Sequence, residues 1–379
     1  MTTERTAGWA EQAVREAGQP AGPASREEEV LLRIERARGR KARVREERVT
    51  LAHGAGGSAS HTLVEAVFVE AFRNPILEPL GDGAVLTVSG SRLAFSTDSF
   101  VVFPLFFPGG DIGDLAVNGT VNDLAVCGAR PLYLSAGFIL EEGFPIADLR
   151  RIAASMAAAA ERAGVRVVTG DTKVVERGKA DGCYVTTAGV GVLERETELR
   201  PSAIRPGDAV IVSGPIGEHG VTIMIARGEL DIQADLASDT APLNEVVAAL
   251  LDAVPGVRVL RDATRGGVAT VLNELARSAR LGIVLEERAV PVRPVVNGAC
   301  ELLGIDPLYV ACEGRFVAVV DGEQAGRALD ALRAHPLGAD AAVVGRVRAE
   351  PPGLVLLDTA FGGTRIVDML VGDPLPRIC

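Results

Sequence analysis

The sequence predicts an α/β protein of two domains, with mixed sheets covered by helices. Three observations carry this expectation. The chain has 379 residues, and a domain usually takes about 100–200. Hydrophobic residues make up 47% but aromatics only 4%, so the cores are aliphatic, as in packed sheet-and-helix layers rather than an aromatic-rich binding module. From Val49 onward, strand-like and helix-like runs alternate, which is the texture of α/β halves.

The elements follow in order. Residues 1–47 differ from the rest: "REEEVLLRIERARGRKARVREE" mixes both charges, and Val30, Leu31 and Ile34 are its large apolar cluster. Such a pattern lacks a wide apolar face, so a loosely ordered extension is expected, with a partner-docking helix as the sharper alternative. "AVLTV" and "RLAFSTDSFVV" read as strands, and "DIGDLAVNGTVNDLAVCGA" as a helix. "ADLRRIAASMAAAAERAG" reads as a second helix, with Asp148 as N-cap and Gly164 as its stop. "VRVVTGDT" is expected to be a buried strand running into a turn, and "GCYVTTAGVGVLE" another strand.

"LRPSAIRPGD" carries two prolines between strand signals, which sets the boundary between a first domain at 48–198 and a second at 199–355. In the second domain "AVIVSG", "GIVLEE", "LYVACEG", "RFVAVV" and "AAVVGRV" read as strands. "GVTIMIARGEL", "TRGGVATVLNELARSARLG" and "EQAGRALDALRAH" read as helices. "GDGAVLTV" and "GDAVIVSG" open the two halves alike. Residues 356–379 form a C-terminal segment, expected to end in a flexible tail.

The formal net charge is −11, which argues against nucleic acid, whose binders carry basic patches. A phosphate ligand would need cations to offset that charge. The five cysteines include no CxxC pair, and four of them lie in apolar contexts that suit small buried hydrophobes; this fits a reducing cytoplasm rather than a zinc or disulfide framework. No apolar run is long enough for a membrane span, and no apolar leader is visible.

Several motifs carry candidate chemistry. In "AHGAGGS", Gly54, Gly56 and Gly57 would let backbone N–H groups approach a phosphate, although no Gly-Lys-Ser/Thr makes it a Walker loop. Asp82, Asp98, Asp123, Asp171 and Asp262 all occupy turns or strand ends beside apolar strands, Asp123 with Asn118 and Asn122 nearby. Each alone reads as a turn or capping residue; together they are hard oxygen donors suited to Mg²⁺ on a nucleotide's phosphates. Thr172 adjoins Asp171, and Lys173 in "GDTKVV" is a candidate phosphate-neutralising cation. Glu313 in "ACEGRF" is a candidate base in a partly desolvated position.

Taken in order, "HGAGG", "GDGA", "TDSFVV", "VNDLAVCGA", "TGDTKVV", "RDATRGG" and the terminal "PRIC" resemble the HypE family of hydrogenase maturation proteins. That family lies in the superfamily of aminoimidazole ribonucleotide synthetase, selenophosphate synthetase and thiamin-monophosphate kinase. The resemblance spans residues from about 49 to 379 and leaves the extension without a counterpart. It implies a two-domain aminoimidazole ribonucleotide synthetase-like fold and a homodimer pairing through the N-terminal domains' sheets. It also implies ATP and Mg²⁺ at Asp82, Asp98, Asp123, Asp171 and Asp262, with Lys173, Glu313 and Cys379 catalytic. By the same resemblance, the carbamoyltransferase HypF loads a carbamoyl group on Cys379, ATP drives its dehydration to a thiocyanate, and the HypC–HypD complex accepts the cyano group. Pro374 and Pro376 would stiffen the tail, and Arg377 would favour the thiolate against the nearby terminal carboxylate. Two rivals remain: a kinase-like relative acting on a free small molecule, and a non-enzymatic nucleotide-binding scaffold.

Overall fold

The computed structural model describes residues 43, 44, 46–229, 234–370 and 377–379. The apolar cluster of the N-terminal extension and the two tail prolines lie outside the described residues. After a short turn at Leu51–Gly54, helix α1 runs through Ser58–Leu63, a π-helical stretch at Val64–Val69, and Glu70–Phe72.

The first half is a five-stranded sheet. Its strands are β1 (Ala84–Val88), β2 (Ser91–Phe100), β5 (Arg130–Glu141), β6 (Arg166–Val175) and β7 (Cys183–Val192), in the order β1-β2-β7-β5-β6. A two-stranded ribbon, β3 (Phe106–Phe107) with β4 (Gly110–Asp111), leads into the central helix. All pairings in the sheet are antiparallel except β5 with β6.

Helices α2 (Ile112–Val126) and α3 (Ile146–Ala163) cover one face of this sheet. Asp111 caps α2, accepting bonds from Gly113 N–H at 2.8 Å and Asp114 N–H at 3.1 Å. The sequence of α2 is apolar nearly all round, and every residue in it except Asp123 is buried, as expected for a helix inside a core. Each fully buried leucine there, Leu115 or Leu124, contributes roughly 1.5–3 kcal/mol. Gly119 permits the close approach of β2, since a Cβ there would lie 2.8 Å from Phe100 Cζ. In α3 the cap is Pro145 rather than Asp148, which sits in the first turn; Gly164 ends it with φ 68°.

Strand β6 corrects the expectation of a buried strand. Its residues are exposed up to Val174, and the strand continues through Asp171, Thr172 and Lys173. The reason is tertiary: among the described residues β6 is an edge with β5 as its one neighbour. Register assigns its faces. Asp98 pairs with Thr187, Thr187 with Ala136, and Ala136 with Gly170. Gly170 and Thr172 therefore share the helix-covered face with Asp98, while Asp171 and Lys173 point to the opposite face. Among the described residues nothing covers that opposite face, and it is partly apolar: Val88, Phe95, Tyr133 and Ile139 are all exposed on it.

The second half is a seven-stranded sheet, ordered β14-β13-β10-β12-β8-β11-β9. Its strands are β8 (Ala209–Val212), β9 (Val257–Asp262), β10 (Gly282–Glu286), β11 (Phe316–Val320), β12 (Ala342–Arg348), β13 (Val355–Asp358) and β14 (Thr364–Val367). Its helices are α4 (Glu218–Ala226), α5 (Asn244–Ala253), α6 (Gly267–Ala279), α7 (Pro294–Leu303) and α8 (Ala325–Arg333). Strands β13 and β14 extend the second sheet into residues expected to be a separate C-terminal segment. "LYVACEG" is not a strand. It is a short 3-10 turn at Pro307–Tyr309 followed by buried coil, in which Cys312 N–H bonds Ala263 O and Ala311 O accepts from Gly220 N–H.

Asn122 fastens the halves together. Its amide donates to Ala241 O at 3.1 Å and Glu313 O at 3.2 Å, and its carbonyl accepts from Leu243 N–H at 2.7 Å.

Candidate active site

The seam between the halves gathers acidic groups from five separate elements. Asp98 is on the helix-facing side of β2, Asp123 is the one unburied residue of α2, and Asp262 ends β9. Asp82 precedes β1, and Glu313 precedes β11. Ser96 Oγ, one pleat from Asp98, lies within hydrogen-bond distance of both Asp123 Oδ2 at 2.5 Å and Asp82 O at 2.8 Å. Asp82 also pairs with Arg261 at 2.8 Å.

Burial, then mutual repulsion, dominates the electrostatics. Desolvation pushes Asp82 up to about 6, against the pull of Arg261. Asp123 is raised well above the usual carboxylate range by burial and then by Asp262, Asp82 and Asp98. Asp262 is raised by burial, Asp82 and Asp98. Glu313 is 3% exposed, and burial followed by Asp262, Asp98 and Asp239 lifts it well above its ordinary value. Among the described residues its Oε1 has no hydrogen-bond partner. Among the described residues no three such side chains form a ready-made ion site. The donor set still suits a hard divalent cation, which would relieve the repulsion that raises these groups.

The chain terminus is docked at this cluster. Ile378 is buried at 3% exposure. Val101 N–H donates to the main-chain oxygen of Cys379 at 3.1 Å, and Phe103 N–H to Arg377 O at 3.2 Å. His219 Nε2 bonds Ile378 O at 2.6 Å, and Arg227 donates to Arg377 O. These bonds seat the Cys379 thiol against the Glu313 carboxyl, with Asp98 and Arg265 close enough to act on it. Burial holds the thiol protonated, helped by Glu313 and Asp98 and opposed by Arg265. Arg377 does not supply the expected push toward thiolate: it pairs with Asp181 at 2.7 Å and its guanidinium lies over Phe103.

Not every expected residue joins the cluster. Asp171 and Lys173 pair with each other on the uncovered sheet face at 2.5 Å, and Thr172 N–H bonds Asp171 Oδ1 at 2.8 Å. Within one subunit the sheet itself separates them from Asp98. Asn122 spends its amide on holding the halves together. The glycine loop is a packing element rather than a free anion cradle. Gly56 N–H is bonded to Ser60 Oγ at 2.9 Å, and a Cβ on Gly57 would lie 2.3 Å from Leu370 O. Gly54 O accepts from Arg265 at 2.9 Å, which ties this loop to the site.

Sequence reading missed Ser96, His219, Asp239 and Arg265. A signal existed for Arg265 alone, since it lies inside "RDATRGG". A cavity of about 610 Å³ opens beside Asp82, lined by His61, Leu80, Cys127, Arg261, Glu274 and others.

Residues 80–193 match the family described as AIR synthase related protein, N-terminal domain, and residues 205–356 match its C-terminal domain. The carbamoyl dehydratase HypE of Rhodobacter capsulatus is 58% identical over 338 residues, covering 89% of this chain and 99% of that protein. The chain belongs to the HypE family. A crystal structure of hydrogenase maturation protein HypE in complex with ATP matches with a TM-score of 0.74 at 48% identity, covering 88% of this chain and 100% of that one. A HypE–HypF complex matches with a TM-score of 0.78 at 47% identity, covering 81% and 99%. The acidic cluster and Glu313 fall inside the two matched domains, whereas Cys379 and the glycine loop lie outside both.

Proposed function

We propose that the protein dehydrates a carbamoyl group carried on Cys379 to a thiocyanate at the expense of ATP. The observation that carries this reading is the seating of the Cys379 thiol against Glu313 at the edge of the aspartate cluster. A substrate carried on that sulfur arrives at the base and the acidic groups by docking alone, which supplies proximity and orientation.

The reaction balances as follows. The carboxamide oxygen of S–CO–NH₂ attacks the terminal phosphoryl group of ATP, one N–H proton leaves, and ADP departs. The second N–H proton then leaves as the C–O bond breaks, giving S–C≡N and inorganic phosphate. Glu313 is the base for these protons: its raised affinity for a proton, its buried position and its unpartnered Oε1 suit that task. Arg265 offsets developing charge beside it.

Asp82, Asp98, Asp123 and Asp262 would hold Mg²⁺, which supplies charge neutralisation at the phosphates. We place the base and sugar of ATP in the cavity beside Asp82, whose size suits them.

Two copies pair through the uncovered face of the first sheet. Its exposed Phe95, Tyr133 and Ile139 support that, and pairing puts Asp171 and Lys173 at the shared surface, where Lys173 would reach phosphate. The carbamoyltransferase HypF loads Cys379, and the HypC–HypD complex takes the cyano group for the hydrogenase iron, in the cytoplasm. Incubation with HypF, carbamoyl phosphate, ATP and Mg²⁺ tests the reading: the C-terminal peptide should gain a carbamoyl group and then lose water.

A further inference from the structure

We propose that His219 is a positioning residue, which grips the Ile378 carbonyl and so seats the sulfur of Cys379 against Glu313. This rests on the reading of Cys379 as the substrate carrier and deepens it.

The ring leaves little freedom. His219 is fully buried at the start of α4, edge-on to Phe107 with centroids 5.6 Å apart. Nδ1 is 2.7 Å from Ser238 Oγ, and Nε2 is 2.6 Å from Ile378 O. A carbonyl oxygen can only accept, so Nε2 carries the proton and donates. Nδ1 is then the acceptor in the neutral ring, and the Ser238 hydroxyl donates to it. Ser238 Oγ itself accepts from Thr240 N–H at 3.1 Å, which aims the hydroxyl. Burial lowers the affinity of the ring for a second proton, to a pKa of about 4, so the neutral form persists at physiological pH.

The same turn also holds the base. Ser238 N–H bonds Pro108 O at 2.9 Å, and the next residue, Asp239, accepts from Glu313 N–H at 3.0 Å. Asp239 O lies 1.8 Å from where a Cβ on Gly314 would stand, so the turn is pressed against the Glu313 segment. One rigid turn therefore fixes both partners of the chemistry: the histidine that holds the tail and the backbone that carries the carboxylate. A main-chain carbonyl is a fitting handle. It is present whether Cys379 bears a thiol, a carbamoyl group or a thiocyanate, so the grip can seat the docked tail in each of these forms.

The test has two readouts. The first is alkylation of Cys379 by iodoacetamide in the uncarbamoylated protein, followed on the C-terminal peptide by mass spectrometry. It does not depend on any dehydration chemistry. The second is single-turnover dehydration of the carbamoylated protein across a range of ATP concentrations. For His219→Ala, alkylation should accelerate and dehydration should slow by roughly 5- to 150-fold, the range for removing one partner from a buried carbonyl. The ATP concentration giving half the maximal rate should stay as in the parent.

His219→Gln, whose amide N–H can replace the Nε2 donor, should recover most of both. Ser238→Ala, which frees the tautomer, should fall between. A purely structural role would instead raise the ATP requirement and resist rescue by glutamine. Parent-like alkylation in folded His219→Ala overturns the grip; if that variant does not fold, parent-like alkylation in Ser238→Ala does so. Faster alkylation of the variants in a protein that never dehydrates its carbamoyl group would sustain the grip and remove the proposed function.

Discussion

Replacing Glu313 with glutamine separates two consequences of its burial. The carboxyl is 3% exposed, its Oε1 has no partner among the described residues, and burial and then three aspartates raise its proton affinity. A group whose folded pKa is raised carries no penalty below its ordinary value of 4.5. The penalty develops as pH rises above that value toward the raised one and persists beyond it. An orphaned buried acceptor costs about 1–3 kcal/mol, more when charged. Glu313→Gln should therefore gain stability relative to the parent as pH rises above about 4.5, and the difference should close toward that pH. Catalysis should move the other way. Loss of a general base slows a reaction by about 10²–10⁴-fold, or roughly 3–5 kcal/mol of barrier. Denaturant midpoints across pH measure the first, and single-turnover loss of water from the carbamoylated peptide measures the second. A rate within about threefold of the parent, or a stability gap that does not change with pH, would refute the assignment.

Other outcomes follow from the same geometry. Asp82→Ala should leave Arg261 paired with Glu274 but weaken nucleotide turnover by about tenfold or more, read by phosphate release. Gly57→Ala forces a Cβ to within 2.3 Å of Leu370 O and should destabilise by about 1–3 kcal/mol. Gly54→Ala has nothing within 4 Å and should be neutral to about 0.5 kcal/mol in the same denaturation experiment. Ile139→Asp on the uncovered face should halve the mass seen by sedimentation, if two copies pair there, and leave the folded state of each copy intact.

Alternation and propensity made the strands legible where a strand has two neighbours, as in "RFVAVV", now β11. They found β6 as a strand but not its exposure, which follows from its having one strand neighbour among the described residues and not from Val167, Val168 or Val174 themselves. They failed again at "LYVACEG", where Val310, Ala311 and Cys312 are apolar because coil is buried, a state that a short apolar run does not distinguish from a strand. The aspartates looked equivalent in sequence. Pairing across four strands then puts Asp98 and Asp171 on opposite faces of one sheet, a distinction set by register alone. The type of a residue does not show its fold contacts: Asn122 bridges the two halves, Gly56 N–H is bonded to Ser60, and Gly57 packs on Leu370. His219 carried no sequence signal at all, since its partners Ser238 and Ile378 are brought to it by the fold.

The central claim concerns one sulfur atom, and the mass of the C-terminal peptide tests it most directly. After incubation with the carbamoyltransferase, carbamoyl phosphate, ATP and Mg²⁺, the peptide ending at Cys379 should gain one carbamoyl group and then lose one water. Loss of that water should require ATP. An unchanged peptide in a protein that hydrolyses ATP, or full hydrogenase maturation by Cys379→Ala, would contradict the account.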